Sequence, residues 1–475
     1  MSVELCGRVR MAIDVAAIRS DFEQRFVERS TEITCSLLAL LSGEHALFLG
    51  PPGTAKSMLA RSLCEIIDGN YFYYLLTRFT TPEEVFGPLS LKALQADSFS
   101  RKTDGFLPDA HIAFLDEIFK ANSSILNSFL TVLNERKFHN GRDVIDVPLV
   151  SLFGASNELP EDESLEALYD RFLFRCVVSP VREEASFRQM LFGSAQDAGS
   201  HHRISLADIR LLQEKAAGMP VDTDVEAIIL RARRELAAKQ ITVSDRRWKK
   251  ILGVLKVAAA ASGRASVDRS MVLLLQHMAW DRPEQRADVR DLVISLAITG
   301  GESVEKLIAE IEDLHAYLSK SGCGVFPNTI RCYDCDERIT SFERLSDHRK
   351  LFPQHKYYDP YRTSLHMRIL SFHDLLSILS EDYGWNCAEI QPEQIQRSQA
   401  EYARLQRRYR DVCLQVVSGR AVLKRQLRDN VWIDDRDIVD LLDRSEAQAR
   451  FIEKAGKTLE AAGAMIKLLS ESGNE

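Results

Sequence analysis

Apolar residues in this chain gather into short, nearly continuous runs early and into spaced stripes later. The early runs are Ala46-Leu47-Phe48-Leu49, Ile112-Ala113-Phe114-Leu115, Leu149 to Ala155 and Leu173 to Val178. Uninterrupted runs of this length predict strands buried on both faces, as in a parallel sheet covered by helices. Met58 to Ile67 follows the first run and reads as a helix. From Ser205 onward the spacing turns helical, as in Val225 to Leu230 and Ile251 to Leu255, with Gly218-Met219-Pro220 separating segments. Ser303 to Lys320 carries Leu307, Ile308, Ile311, Leu314 and Leu318 on one face. Gln394 to Gln426 and Asp435 to Leu469 predict two long helices. Val431-Trp432-Ile433-Asp434-Asp435 breaks them, with Asp434 or Asp435 as the cap. The expected fold is thus an α/β domain with a parallel sheet, an α-helical lid, and a mainly helical C-terminal domain carrying a small insertion.

The turn between the first strand and its helix is Gly50-Pro51-Pro52-Gly53-Thr54-Ala55-Lys56-Ser57. Strand, glycine-bearing turn, Lys-Ser and helix form the setting of a phosphate-binding loop. Backbone N–H groups at the helix start would cradle phosphates. Lys56 would reach the β/γ-phosphates and the Ser57 hydroxyl would sit on Mg²⁺. Ala55 stands where a second glycine is usual; its small size and tolerance of helical dihedrals are expected to keep the loop intact.

A second run, His111 to Leu115, ends in Asp116-Glu117. At the C-terminal end of a parallel strand Asp116 faces the nucleotide and would hold the Mg²⁺ shell, and Glu117 would orient or polarise the attacking water. The run Leu149 to Ser156 ends in Asn157, placed to hold that water or the γ-phosphate. Arg171, after Leu168-Tyr169-Asp170, has two readings: a surface arginine paired with Asp170, or an arginine finger aimed at a neighbouring subunit's nucleotide. A finger supplied in trans implies a ring.

These residues resemble the AAA+ ATPases, specifically the MoxR branch and within it the regulatory ATPase variant A (RavA) type. The likeness is carried by the phosphate loop, Thr80-Thr81-Pro82-Glu83-Glu84-Val85-Phe86-Gly87-Pro88, Phe114 to Ile118, Ala155 to Pro160, Ser164 to Arg171 and Ser244 to Lys250. It implies that Lys56 and Ser57 are Walker A, Asp116 and Glu117 Walker B, Asn157 sensor 1, Arg171 the finger and Arg246 sensor 2, with Arg247 adjacent. On the first turn of its helix, Arg246 is expected to reach back over the nucleotide. The resemblance further implies ATP and Mg²⁺ as ligands, a homo-hexamer, a von Willebrand factor A domain partner, and remodelling or activation of protein complexes. Glu84 to Asp109 is then a helix-2 insert, and Arg136 to Val147 a pre-sensor-1 hairpin. The dipeptide Asn140-Gly141 between strand-suited residues supports the hairpin.

The expected domains are 1–200 for nucleotide binding, 201–298 for the lid, 299–320 with 394–475 for a discontinuous triple-helical domain, and 321–393 for the insertion. The insertion departs from the RavA type. It contains Cys332-Tyr333-Asp334-Cys335 followed by His348 and His355. Two cysteines and a downstream histidine have zinc-finger spacing, and a structural zinc would fold a short, core-poor segment. The interval to His355 is longer than usual, and Cys323 is an alternative fourth ligand. Plain reduced thiols and a redox pair are the competing readings.

The chain has 475 residues, too many for one ordinary core, and a formal net charge of −8. That charge argues against capture by nucleic acid as a whole molecule. Arg404, Arg407, Arg408 and Arg410 form a local basic cluster, either a solvated helix face or a partner contact. A nucleic-acid motor and a nucleotide-switched scaffold are the alternative functions. No run is apolar enough to span a membrane, and Glu4 and Asp14 break any signal-peptide pattern, so a cytoplasmic location with reduced cysteines is expected.

Overall fold

The computed structural model describes residues 13–472 except 96, 161–162, 194–201, 300–303, 321–329, 333, 336, 340–341, 359–374, 376–391 and 429. The described residues form two compact units, one within Met1–Gly301 and Leu423–Asp440, the other within Glu302–Val422 and Leu441–Glu475.

The first unit is built on five strands: β1 (Ala46–Leu49), β2 (Tyr71–Leu75), β3 (Ile112–Asp116), β6 (Ser151–Ser156) and β7 (Phe174–Val177). They lie in the order β2-β3-β6-β1-β7 with every pair parallel. β1 and β6 are buried along their whole length, as their apolar runs predict. Parallel pairing needs crossovers, which the helices Lys56–Glu65 and Ser123–Glu135 supply in part. Ser30–Ser42 packs so completely that ten consecutive residues, Glu32 to Leu41, are buried. The order has one consequence for function: β3, β6 and β1 are neighbours, so their carboxyl ends open onto one edge.

Between Ser123–Glu135 and β6 the chain makes the antiparallel hairpin β4 (Lys137–Asn140) and β5 (Asp143–Asp146). Asn140 pairs with Asp143, so the turn residues are Gly141 and Arg142, one position later than Asn-Gly alone suggests. Gly141 has φ +70, and a Cβ there would fall 1.5 Å from the Phe99 carbonyl oxygen. The Asn140 amide instead clasps Arg101: its Oδ1 accepts from the Arg101 N–H at 2.6 Å and its Nδ2 donates to the Arg101 carbonyl at 3.1 Å. The insert spanning Glu84 to Asp109 is therefore clamped to the hairpin. It is folded locally by the helix Leu91–Gln95 and the bridge Leu89↔Arg101.

The helices Leu206–Ala217, Thr223–Ala238, Asp245–Ala261 and Arg286–Thr299 complete this unit. So does the turn at Val431 to Asp434, read from sequence as a break in a helical arm. Its Trp432 is 1% exposed and donates Nε1–H to the Ala258 carbonyl at 2.9 Å, while Asn430 donates to Ser270 Oγ at 2.8 Å.

In the second unit Val304–Lys320 packs with Pro392–Arg428 and Asp435–Ser472, within two or three residues of the expected bounds. Leu307, Ile311, Leu314, Leu405, Val412 and Leu459 are among its buried core. Its insertion contains β8 (Arg331–Cys332), the helix Phe342–Leu351 and β9 (Tyr357–Tyr358), with β8 and β9 antiparallel.

Candidate nucleotide site

The phosphate loop leaves β1 at Gly50, whose φ is +154 and whose hypothetical Cβ would meet the Val178 carbonyl oxygen at 2.1 Å. Only glycine lets the loop pass β7 this closely. Ala55 does not take helical dihedrals as expected: it is the residue before the helix Lys56–Glu65 and has φ +65, in the left-handed region. An alanine held there stores roughly 1–2 kcal/mol of strain, which the fixed loop ends impose. Lys56 is buried, and its ammonium donates to the carbonyls of Gly50 at 2.6 Å and Pro51 at 2.9 Å. Burial pulls its pKa below the ordinary lysine value, while Asp116 and Glu117 oppose the shift. Thr54 closes the loop by donating to the Pro51 carbonyl at 3.0 Å.

Asp116 ends β3, and its Oδ2 accepts from the Ser57 hydroxyl at 3.3 Å. A hydroxyl and a carboxylate side by side below the loop suit the oxygen preference of Mg²⁺. Glu117 follows in a left-handed conformation, φ +54, a strained turn for a glutamate. Its Oε1 accepts from Asn157 Nδ2 at 3.0 Å and its Oε2 pairs with Lys120 at 3.3 Å. Asn157 Oδ1 in turn receives Lys56 Nζ at 3.4 Å. One amide thus bridges the loop lysine and the acid, as the three adjacent strand ends allow. Sequence reasoning missed Arg29, buried beneath the loop, whose Nε donates to the Thr54 carbonyl at 3.3 Å. No local motif announces it, since its partner lies in a different element.

Residues 14–214 match the family described as "MoxR domain in the MoxR-vWA-beta-propeller ternary systems", and residues 224–293 match an AAA lid domain. Two uncharacterized proteins of Methanocaldococcus jannaschii are similar to the chain. MJ0079 is 43% identical over 303 residues, covering 63% of this chain and 74% of the relative. MJ0812 is 40% identical over 313 residues, covering 64% and 83%. The chain belongs to the MoxR family of AAA+ ATPases. Chaperone MoxR1 of Mycobacterium tuberculosis is 27% identical over 188 residues, covering 38% of this chain and 48% of that protein. No described helix is long and apolar enough to cross a membrane.

In this MoxR chain the two arginines expected to meet the nucleotide lie together. Arg171 pairs with Asp170 at 3.3 Å, the bland reading, yet its buried Nε has no hydrogen-bond partner among the described residues. Arg246 is exposed, donates to Asn134 Oδ1, and depresses the pKa of Arg171 by its charge, an effect second to burial. Among the described residues neither arginine bonds to the phosphate loop, Asp116, Glu117 or Asn157. Its neighbour Arg247 is buried and structural: it donates to the Met278 and Trp280 carbonyls at 2.6 and 3.1 Å and pairs with Asp281. Arg175 of β7 pairs with the same Asp281 oxygen at 2.7 Å. Asp281 was not legible in the sequence, being remote from both partners.

Of the four clustered C-terminal arginines, Arg404 and Arg408 have carboxylate partners among the described residues. Arg408 and Arg404 both pair with Glu310, at 2.9 and 2.8 Å, and Arg404 also pairs with Glu401. Cys332, Cys335, His348 and His355 do converge, with one ligand atom from each within 4.8 Å of every other. Cys323 lies outside the described residues.

Proposed function

We propose that the protein is a ring-forming, Mg²⁺-dependent MoxR ATPase that turns ATP hydrolysis into remodelling or activation of a protein complex. In this reading Lys56 and the loop amides hold the phosphates, Ser57 and Asp116 hold Mg²⁺, and Glu117, positioned by Asn157, orients water. Phosphoryl transfer asks little more of a protein than such positioning and charge stabilisation. The observation that supports the ring is that Arg171 and Arg246 lie near enough for the charge of one to act on the other, with neither bonded to its own chain's phosphate loop. The charge of Arg246 opposes that of Arg171, and among the described residues Asp170 is the carboxylate paired to Arg171, so a further anion brought to this pair would be held favourably. The γ-phosphate bound to the next subunit is that anion, so both arginines act in trans. A hexamer is the family expectation for such a ring. The family description supports partnership with a von Willebrand factor A domain protein and a β-propeller protein.

Mixing variants tests this. Arg171→Ala and Lys56→Ala are each expected to lose ATP turnover. Subunits mixed and reassembled at equal ratio should recover turnover, because about a quarter of head-to-tail interfaces then join an intact loop to an intact arginine. No recovery, with assembly verified by light scattering, overturns the trans assignment. Hydrolysis stimulated by DNA with a steep salt dependence would overturn the protein-remodelling assignment.

A further inference from the structure

The insertion of the helical unit holds a second site with different chemistry. β8 ends on Cys332, Asp334 and Cys335 are turn residues, and Glu337 to Ile339 lies back alongside β8. Cys332 N–H donates to the Glu337 carbonyl at 2.9 Å, and Ile339 N–H to the Ile330 carbonyl at 2.8 Å. The helix Phe342–Leu351 then presents His348 from its last turn. The turn Phe352 to His355, closed by His355 N–H to the Phe352 carbonyl at 3.2 Å, brings the second histidine round. β9 follows at once and pairs Tyr357 with Cys332. This turn accounts for the long interval between the histidines. His355 approaches from outside the helix and offers Nδ1, whereas His348 offers Nε2.

We propose that Cys332, Cys335, His348 and His355 bind a structural zinc ion that holds this insertion folded. Cys335 Sγ lies 3.1 Å from His348 Nε2, and Cys332 Sγ lies 3.4 Å from His355 Nδ1. A zinc tetrahedron with bonds of about 2.3 Å to sulfur and 2.0–2.1 Å to nitrogen has S···N edges of about 3.5 Å. Cys332 and His348 are buried, so the pair that anchors the site is shielded from water. His348 Nδ1 sits 3.2 Å from the Tyr357 hydroxyl, the outer hydrogen bond that fixes a metal-ligating histidine's ring and frees its other nitrogen. Two thiolates balance the charge of one Zn²⁺, which a half-buried site requires. Four protein ligands leave no open position, which marks the site as structural.

The insertion also needs such a clamp. Among the described residues of the insertion the buried apolar side chains include Ile330, Ile339, Leu345, Tyr357 and Leu375, a small core that a metal clamp would reinforce. Neither competing reading accounts for the histidines. Both cysteines are free thiols, and each faces an imidazole.

Metal analysis of the full-length protein, purified without chelator or affinity nickel, tests the proposal. One zinc per chain is expected. Cobalt exchanged into the protein should give the intense visible bands of a tetrahedral site with thiolate charge transfer. The double substitution Cys332→Ser, Cys335→Ser should reduce bound zinc at least tenfold, and Cys64→Ser, outside the cluster, should leave it unchanged. His355→Cys keeps a ligand and should retain zinc while strengthening the cobalt charge-transfer band. That variant keeps the test decisive even where the double substitution unfolds the insertion. Zinc below a tenth of an equivalent after zinc supplementation, or an unaltered cobalt spectrum in His355→Cys, overturns the assignment.

Discussion

Asn157 is where the two halves of the candidate nucleotide site meet, since one amide touches both Lys56 and Glu117. Removing it leaves the loop whole but takes from the acid its amide partner, with Lys120 still paired to Oε2. Asn157→Ala should bind ATP within about threefold of the parent and lose about 10²-fold in kcat, the scale for deleting one positioned donor. Equilibrium nucleotide titration beside steady-state phosphate release separates the two effects; an equal loss in affinity would remove the positioning role. His45 is a residue-scale matter of pH. It is wholly buried, and its Nδ1 accepts the Leu152 N–H at 3.0 Å, which an unprotonated nitrogen alone can do. Burial first, then Arg136 and Lys250, hold its pKa well below the ordinary 6.5. The unfolded chain therefore takes up this proton before the folded one. Stability from this residue is complete above about pH 6.5 and falls below it by up to about 1.4 kcal/mol per pH unit. Denaturant midpoints between pH 7 and pH 5 should show a slope to which His277, held down to about 4 mainly by burial, also contributes, and His45→Asn, which keeps an acceptor near Nδ1, should reduce it without abolishing it. At this scale the phosphate loop, Asp116, Glu117 and Asn157 were legible because each ends an apolar run. The left-handed Ala55 was not, because strain is imposed by where the loop must end, and residue type does not record that.

At the scale of elements, the insert meets the β4–β5 hairpin through the stacked rings of Phe86 and Phe138 and through the amide of Asn140. Asn140→Ala removes both hydrogen bonds to Arg101 and should cost about 1–2 kcal/mol locally. Hydrogen exchange at the Arg101 amide should accelerate while exchange within β1 and β6 does not; unchanged protection at Arg101 would mean the insert is held elsewhere. The hairpin itself was legible from Asn-Gly, but its turn sits one residue on. The reason is physical: the Asn140 amide is engaged with the insert, and Gly141 is forced by the Phe99 carbonyl. The long helices were legible for a different reason, as thirty-odd residues of 3.6-residue periodicity average out local exceptions. Their connecting turn was legible as a break. Its docking into the first unit was not, because Ala258 and Ser270 lie 174 and 160 residues away in sequence.

At the scale of the whole molecule, the first unit is joined across its sheet and lid by Asp281. One of its carboxylate oxygens serves Arg175 of β7 and Arg247 of the helix Asp245–Ala261, both almost fully buried. Arg175 also lies over the Tyr169 ring, 3.8 Å from its centroid. Removing the carboxylate strands two buried cations. Because Asp281 itself is 38% exposed and water can partly replace it, Asp281→Ala should cost about 2–3 kcal/mol rather than the full penalty of a broken buried pair. Urea unfolding measures this directly, and a loss under about 0.5 kcal/mol would show that the guanidiniums find other partners.

The same junction governs movement. Arg171 stands four residues before Arg175, and Arg246 is the immediate neighbour of Arg247, so the two outward arginines are mounted on two inward ones pinned to a single carboxylate. The lid cannot swing against its own sheet at this point without tearing both pins. Spin labels at exposed residues 188 and 234, on the helices Glu184–Phe192 and Thr223–Ala238, should keep one separation in ADP and in ATP. In the ring proposed above, the lever is then an entire sheet-and-lid body, and its fulcrum is the boundary with the next chain.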